Sequence, residues 1–348
     1  MSLTSKPLIS VLMPVYNSES TVRQAIESIL NQSFCDFELV IIDDCSTDRT
    51  KEIILSFNDQ RIKFIENSEN LKLAACLNKG MKAAQGKYIA RMDGDDISLK
   101  HRLKKQLNFL EKNPEISLCG SWIKHFGDSQ VLQTYPLSDE EIKIQLLFNS
   151  ALAHPSVMFR REIFIENNLF YAEDFPVAQD YELWVRGMDV IKFSNLKEIL
   201  LLYRSHKKQH TKLIEETKNQ KTARIKSILL NKLNVFPTKE ELELHNLISD
   251  RKYIYDEKFL IHVQNWLEKL VEHNRSSKVF NHECFKKYLA QTWLTACKDM
   301  AKYGLDTLPV YNKSVLGGYN KLSLTDYAKY CSIILAGKSG FYKRKNNG

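Results

Sequence analysis

The stretch "LISVLMPVYNSESTVRQAIESILNQSFCDFELVIIDD", residues 8–44, carries the fold in miniature. It opens on a short apolar run ending near a proline, which reads as a buried strand. The following residues place Val22, Ile26, Ile29 and Leu30 on one face at helical spacing, with Ser18 or Ser20 as the helix cap. A second apolar run, "DFELVIIDD", ends in two acids. The pattern then repeats. "DRTKEIILSF" is helical, with Ile53, Ile54 and Phe57 inward, and "RIKFIEN" is a third strand. "LKLAACLNKGMKAAQG" is a helix closed by Gly86 as its C-cap, and "KYIARMD" is a fourth strand. Strand–helix repeats of this length predict an α/β fold with a mostly parallel sheet and right-handed crossovers.

In such sheets ligands bind beyond the carboxyl ends of the strands. The polar residues gather there. Strand one ends at Pro14, Tyr16 and Asn17, strand two at Asp43 and Asp44, and strand four at Asp93, Asp95 and Asp96. Like charges crowded as they are in "DGDD" require a counter-charge. Asp93 and Asp95 at a strand end can hold a hard divalent cation, Mn²⁺ or Mg²⁺, which keeps positions open for phosphate oxygens. Gly94 between them lets the backbone approach a ligand closely. On spacing alone, a polar turn with an aspartate cap is an equal alternative.

Other polar residues also have two readings. Asp43-Asp44 either caps a helix starting near Thr47 or accepts from the imide N–H of a nucleobase, on which Tyr16 could stack. "YRSHKKQHT", residues 203–211, holds Arg204, His206, Lys207 and Lys208. Such a loop could neutralise a diphosphate, with His206 also a candidate metal ligand, or it is a solvated basic linker. Asp180 in "AQDYELW" is either a general base with a tuned pKa or a helix N-cap. His125 reads as structural. Neither a Walker or GxGxxG loop nor a nucleophile elbow is present.

The 348 residues suffice for one large domain with an appendage. At 43% hydrophobic and 26% charged the composition is that of a soluble globular protein, with no apolar run long enough for a membrane span. The N-terminus lacks a signal-peptide core, and the seven cysteines have no CxxC spacing. Most of these cysteines read as small core hydrophobes in a reducing cytoplasm. The net charge of +8 suits an anionic partner. From about residue 213 the chain turns Lys/Glu/Leu-rich with long helical periods. Phe259, Val263, Trp266, Leu267, Leu270 and Val271 form one apolar stripe, and the region reads as all-helical.

The segments "SVLMPVYN", "DFELVIIDDCSTDRT", "KYIARMDGDD", "QDYELWVR" and "YRSHKKQHT", in that order, resemble the inverting family 2 glycosyltransferases with the GT-A fold. The resemblance covers about residues 8–212 and leaves the helical third outside. It implies a catalytic domain at 1–212 and a helical region at 213–348. It also implies a bacterial enzyme moving a hexosyl or N-acetylhexosaminyl group from a nucleotide diphosphate, a UDP-sugar, to a hydroxyl. The acceptor would be a glycan or a lipid-linked carrier in capsule or lipopolysaccharide synthesis. By position, Pro14, Tyr16 and Asn17 would border the base and ribose, Asp44 would recognise the base, and Lys72 would lie near the nucleotide. Asp93 would touch the ribose, Asp95 would hold Mn²⁺ or Mg²⁺, Asp180 would be the base, and Arg204 with His206 would steady the diphosphate. The family usually carries Glu before that base, whereas this chain has Gln179.

The rival readings are a nucleotidyltransferase, disfavoured by the missing Gly-rich loop, and a catalytically inactive sugar-nucleotide-binding or scaffold protein. Nucleic acid is not an expected partner. The expected location is the cytoplasm. Lys343, Arg344 and Lys345 beside Phe341 and Tyr342 suggest peripheral contact with the inner face of the membrane. Packing on the catalytic domain or homodimerisation are the alternatives for these helices.

Overall fold

The computed structural model describes residues 6–205 and 212–346, with side chains except at 212–214, 257 and 339–346. His206, Lys207, Lys208 and the side chains of Phe341–Lys345 therefore lie outside the described set. The chain divides into two compact units: residues 1–142 with 150–222, and residues 143–149 with 223–348.

The first unit is α/β, as the repeats predict. β1 (Ile9–Val15) is buried at every position and pairs in parallel with β2 (Phe37–Asp43). The helix α1 (Val22–Leu30) lies between them in sequence, and Val22, Ala25, Ile26 and Ile29 bury its inner face. After β2 come α2 (Thr50–Leu55), β3 (Ile62–Glu66), α3 (Lys72–Ala83) and β4 (Tyr88–Arg91). β3 pairs with β2, and β4 with β1, both in parallel. Pro14 is tolerated in a central strand because β4 pairs only with Ile9–Leu12.

Beyond β4 the sheet turns mixed. β5 (Ile97–Ser98) is followed by α4 (Arg102–Lys112), β6 (Leu118–Gly127), β7 (Leu132–Gln133) and α5 (Asp139–Leu146). The chain continues through β8 (Met158–Arg160), α6 (Arg161–Glu166), α7 (Gln179–Gly187) and β9 (Phe193–Ser205). The strand order is β3-β2-β1-β4-β8-β6-β9-β5, with β7 on β6. The short β5 pairs antiparallel with Leu201 and Leu202 of β9. That pairing places the end of β9 beside the acidic loop after β4, although about a hundred residues separate them.

Three local expectations differ from the structure. Thr21, not Ser18 or Ser20, precedes α1, and its hydroxyl donates to the Gly94 carbonyl (3.0 Å). Gly86 is not a cap. The C-cap of α3 is Ala84, while a Cβ at Gly86 would lie 2.5 Å from the backbone nitrogen of Ser10. Gly94 lines a cavity and also makes room for the protein itself, since its Cβ would stand 2.7 Å from a methyl of Val15. Among the cysteines, Cys76, Cys119 and Cys297 are buried, but Cys35 is exposed and the other three are half-buried.

The second unit is helical: α8 (Lys212–Lys232, which begins in the first unit), α9 (Lys239–Asp250), α10 (Glu257–Ser277), α11 (His282–Ala301), α12 (Leu308–Lys313), α13 (Val315–Tyr319) and α14 (Leu324–Asn346). The stripe around Trp266 is buried throughout. Buried His245 joins this stripe to residues 143–149. Its Nε2 pairs with the Leu147 carbonyl (2.8 Å), and its Nδ1 accepts from Trp266 Nε1 (3.1 Å). Burial holds the imidazole neutral, with its pKa down at about 3. Among the described residues no helix is long and apolar enough to cross a membrane.

Candidate functional site

The strand ends of the first unit build one polar rim. Asn17, in a left-handed conformation (φ 47°), accepts from the Thr47 amide (2.8 Å) and donates its own amide to Ser46 Oγ (2.9 Å). Asparagine tolerates that conformation better than most residues. The bonds fasten the end of β1 to the loop after β2. Asp43 accepts from the hydroxyl and amide of Ser46 (2.5 and 3.3 Å), and burial leaves its carboxyl above the usual range.

Asp44 is 5% exposed and fully engaged. Its Oδ1 accepts from Asn67 Nδ2 (2.9 Å) and the Leu71 amide (2.8 Å), and its Oδ2 from the Lys72 amide (2.9 Å). Burial pushes this carboxyl up, but the hydrogen bonds from Asn67, Leu71, Cys76 and Lys72 together outweigh it and hold it low. Asp44 thus ties the end of β2 to the start of α3. Lys72 serves this tie with its amide, in a left-handed conformation (φ 71°), while its side chain is exposed.

The loop after β4 is different. One oxygen each of Asp93, Asp95 and Asp96 lie within 4.8 Å of one another. Two arginines supply counter-charge. Arg91, 2% exposed, forms an ion pair with Asp93. Arg204, near the end of β9, donates its amide to Asp96 Oδ1 (2.9 Å) and its Nε to the Asp95 carbonyl (2.7 Å). Its guanidinium also reaches Gln24 (2.8 Å) and lies 4.4 Å above the Phe126 ring. Asp96 is wholly buried, and its Oδ2 has no partner among the described residues. Burial first, then the charges of Asp93 and Asp95, push its carboxyl up to about 8. An orphan buried oxygen beside two further carboxylates fits a hard divalent cation, so Asp95 and Asp96 with Asp93 could hold Mn²⁺ or Mg²⁺.

Two cavities open here, and Asp93 lines both. The smaller, about 300 Å³, is walled by Pro14, Tyr16, Asn17, Ser20, Gly94 and Asp95. The larger, about 580 Å³, is walled by Arg91, His125, Tyr135, His154, Asp180 and Tyr203, among others. Asp180 sits in the first turn of α7, behind Ala178 in a left-handed conformation (φ 59°). It is therefore inside the helix rather than its N-cap. Burial raises its carboxyl, and the amides of the first turn together with Arg91 only partly oppose this. A carboxylate with a raised pKa facing a cavity is suited to accept a proton.

Of the residues marked in the sequence, the structure brings Pro14, Tyr16, Asn17, Asp93 and Asp95 together on the smaller cavity and Asp93 with Asp180 on the larger. Asp44, Lys72 and Arg204 line neither. Sequence reasoning missed Arg91 and His154 and gave Asp96 no role. Arg91 was within reach, because two residues apart on a strand puts it on the face of Asp93. His125, read as structural, is on the wall of the larger cavity, paired with Ser205 Oγ (2.8 Å) and Gln133 Oε1 (2.9 Å).

Comparison with known proteins shows the family and the fold. Residues 10–167 match the model of glycosyl transferase family 2. The Escherichia coli O-antigen biosynthesis glycosyltransferase WbnJ is 34% identical over 61% of this chain and 85% of its own. The E. coli UDP-Glc:alpha-D-GlcNAc-diphosphoundecaprenol beta-1,3-glucosyltransferase WfgD is 29% identical over 55% of this chain and 73% of its own. The crystal structure of Staphylococcus aureus TarS residues 1–349 in complex with UDP superposes with a TM-score of 0.55 at 18% identity, covering 97% of this chain and 92% of that one. The sheet, flanking helices and C-terminal helical region are those of a GT-A protein.

Proposed function

The chain belongs to glycosyl transferase family 2, and from that premise we propose that it transfers one sugar, with inversion, from a UDP-sugar to a hydroxyl of a glycan or lipid-linked acceptor in cell-surface polysaccharide synthesis. The observation that supports this most directly is Asp93, shared by the cavity that Pro14, Tyr16 and Asn17 line and the cavity that Asp180 lines. The UDP-sugar donor and lipid-linked acceptor are the classes named for WfgD. In this reading the chemistry belongs to residues 1–212, and the sugar is a hexose or N-acetylhexosamine.

Tyr16 stacks on the base, with Pro14 and Asn17 beside base and ribose. Asp44 and the amide of Lys72 shape the loop that meets the base. Asp93 holds the ribose. Asp95 and Asp96 would hold Mn²⁺ or Mg²⁺, which would offset the negative charge growing on the leaving diphosphate. Arg204 braces these aspartates and adds positive charge to the same rim. Asp180 takes the proton of the acceptor hydroxyl. The acceptor oxygen bonds to the anomeric carbon on the face opposite the diphosphate, the carbon–diphosphate bond breaks, and one displacement inverts the configuration.

Thermal denaturation with UDP, UDP-glucose, UDP-N-acetylglucosamine and GDP-mannose, with Mn²⁺ or with EDTA, tests this reading. We expect stabilisation by UDP and one UDP-sugar in Mn²⁺ only. No stabilisation by any nucleotide overturns the reading in favour of a non-catalytic protein. Equal stabilisation in EDTA overturns its metal dependence.

A further inference from the structure

Arg91 is an anomaly of the first unit. The guanidinium is buried at the end of β4, yet its Nε has no hydrogen-bond partner among the described residues. A buried arginine is costly unless paired and hydrogen-bonded. Among the described residues its ion-pair partner is Asp93, which lines both cavities. Burial works against its charge, but Asp93 first, then Tyr171 and Asp96 at longer range, outweigh it and keep the guanidinium charged. His154 is buried and neutral, and its Nε2 pairs with Tyr171 Oη (2.9 Å). Tyr171 is in turn fixed through its backbone by Asn78 (2.8 and 2.9 Å). Arg102, a second wholly buried arginine, donates to the Arg91 carbonyl (2.6 Å) and stiffens the strand end from behind.

Asp93 has the opposite setting. Its side chain is 27% exposed, so one side of the carboxylate faces the cavities while the other meets Arg91. A free aspartate at such a junction could turn toward Asp95 and Asp96 or away into solvent. An ion pair to a guanidinium that is itself walled in removes that freedom.

We propose that Arg91 is a positioning residue: it holds one oxygen of Asp93 inward, so that the other oxygen is presented to the nucleotide sugar at the junction of the two cavities. This rests on the reading of Asp93 as a donor-binding residue. It separates the duties of the acidic loop. Asp93 is committed to Arg91 and the donor, and Asp95 and Asp96 remain for the cation. It also gives a physical reason for a buried, under-satisfied arginine, a group that proteins otherwise avoid.

The test is a double-mutant cycle read by calorimetric titration of the full chain with UDP in Mn²⁺. Asp93→Asn and Arg91→Met are each expected to weaken UDP binding about tenfold, and the double variant no more than either alone, because both break the same contact. Arg91→Lys keeps the charge without the fork and is expected to lose about threefold, with a near-native melting temperature. It guards against a failure of Arg91→Met to fold. Two results overturn the positioning role while leaving the proposed function intact. One is a folded Arg91→Lys or Arg91→Met that binds UDP like the parent. The other is a pair of penalties that multiply to about a hundredfold in the double variant. A parent protein that binds no UDP overturns the proposed function, and the positioning role with it.

Discussion

Two acidic strand ends, Asp43-Asp44 after β2 and Asp93–Asp96 after β4, look alike in sequence and behave in opposite ways. Asp44 accepts three hydrogen bonds, and its carboxyl is held low. Asp96 accepts one, keeps an orphan oxygen, and its carboxyl is pushed up to about 8. Both are buried, so burial does not separate them. The difference lies in the donors that the fold brings to Asp44 and in the like charges of Asp93 and Asp95 beside Asp96. The first end is part of the frame, and removing its acid should cost stability. The second keeps unmet electrostatic demand, so its acids should matter for ligands, and without a ligand they should cost stability rather than add it.

The largest expected effect lies on the functional side of this divide. Asp180→Asn keeps the shape of the side chain and removes the proton acceptor. Turnover should fall about a thousandfold, within the range for loss of a general base. UDP affinity and melting temperature should stay near those of the parent. Steady-state kinetics beside calorimetric UDP titration separate the two. Near-native turnover would remove Asp180 from the chemistry, and a large loss of stability would move it to the frame. In the parent, kcat should rise with pH through a pKa above the ordinary aspartate value, because burial raises that carboxyl.

The next effect belongs to the frame. Asp44→Ala strands the Asn67 amide and the backbone N–H groups of Leu71 and Lys72. Unsatisfied buried donors cost on the order of 1–3 kcal/mol each, and partial relaxation or entry of water should leave a net loss of about 3 kcal/mol. Urea unfolding measures it. A loss under about 0.5 kcal/mol, within the usual range for a surface change, would mean that the three donors find water instead, and the comparison would fail on the Asp44 side.

These two aspartates also mark where sequence reasoning stops. The β1–β4 alternation was legible because apolar period and turn chemistry are local. The acids were legible as a rim because strand ends are where such sheets place ligands. Their separate duties were not legible. The donors to Asp44 come from residues 67–72, beyond the next helix and strand, and the donor to Asp96 is the Arg204 amide, brought in by pairing of β5 with β9. Gly86 looked like a cap because caps and close approaches both call for glycine. Arg91 passed unnoticed because arginine is rarely buried, so its default reading is a surface residue. Nor does the apolar run "IQLLF" disclose that residues 143–149 group with the helices of the second unit.

A third effect distinguishes the two acidic ends by pH. The Asp44 carboxyl is depressed in the folded state, so its contribution is present above the unfolded value near 4 and fades as the pH falls below it. Asp96 has the opposite sign. Between about pH 4 and about pH 8 the folded protein keeps a proton on Asp96 that the unfolded chain has lost. Stability of the metal-free protein should therefore decline as pH rises across that window, by at most about 1.4 kcal/mol per pH unit from this group. Asp96→Asn should flatten the decline and make the protein in EDTA more stable than the parent near pH 8, while weakening its Mn²⁺-dependent stabilisation by UDP. Urea unfolding at pH 5 and pH 8, with EDTA and with Mn²⁺ plus UDP, reads both changes. If the slope survives in Asp96→Asn, the unmet charge lies elsewhere in the loop. If it disappears while Mn²⁺ and UDP stabilise the variant as they do the parent, Asp96 is strained for a reason other than holding a cation.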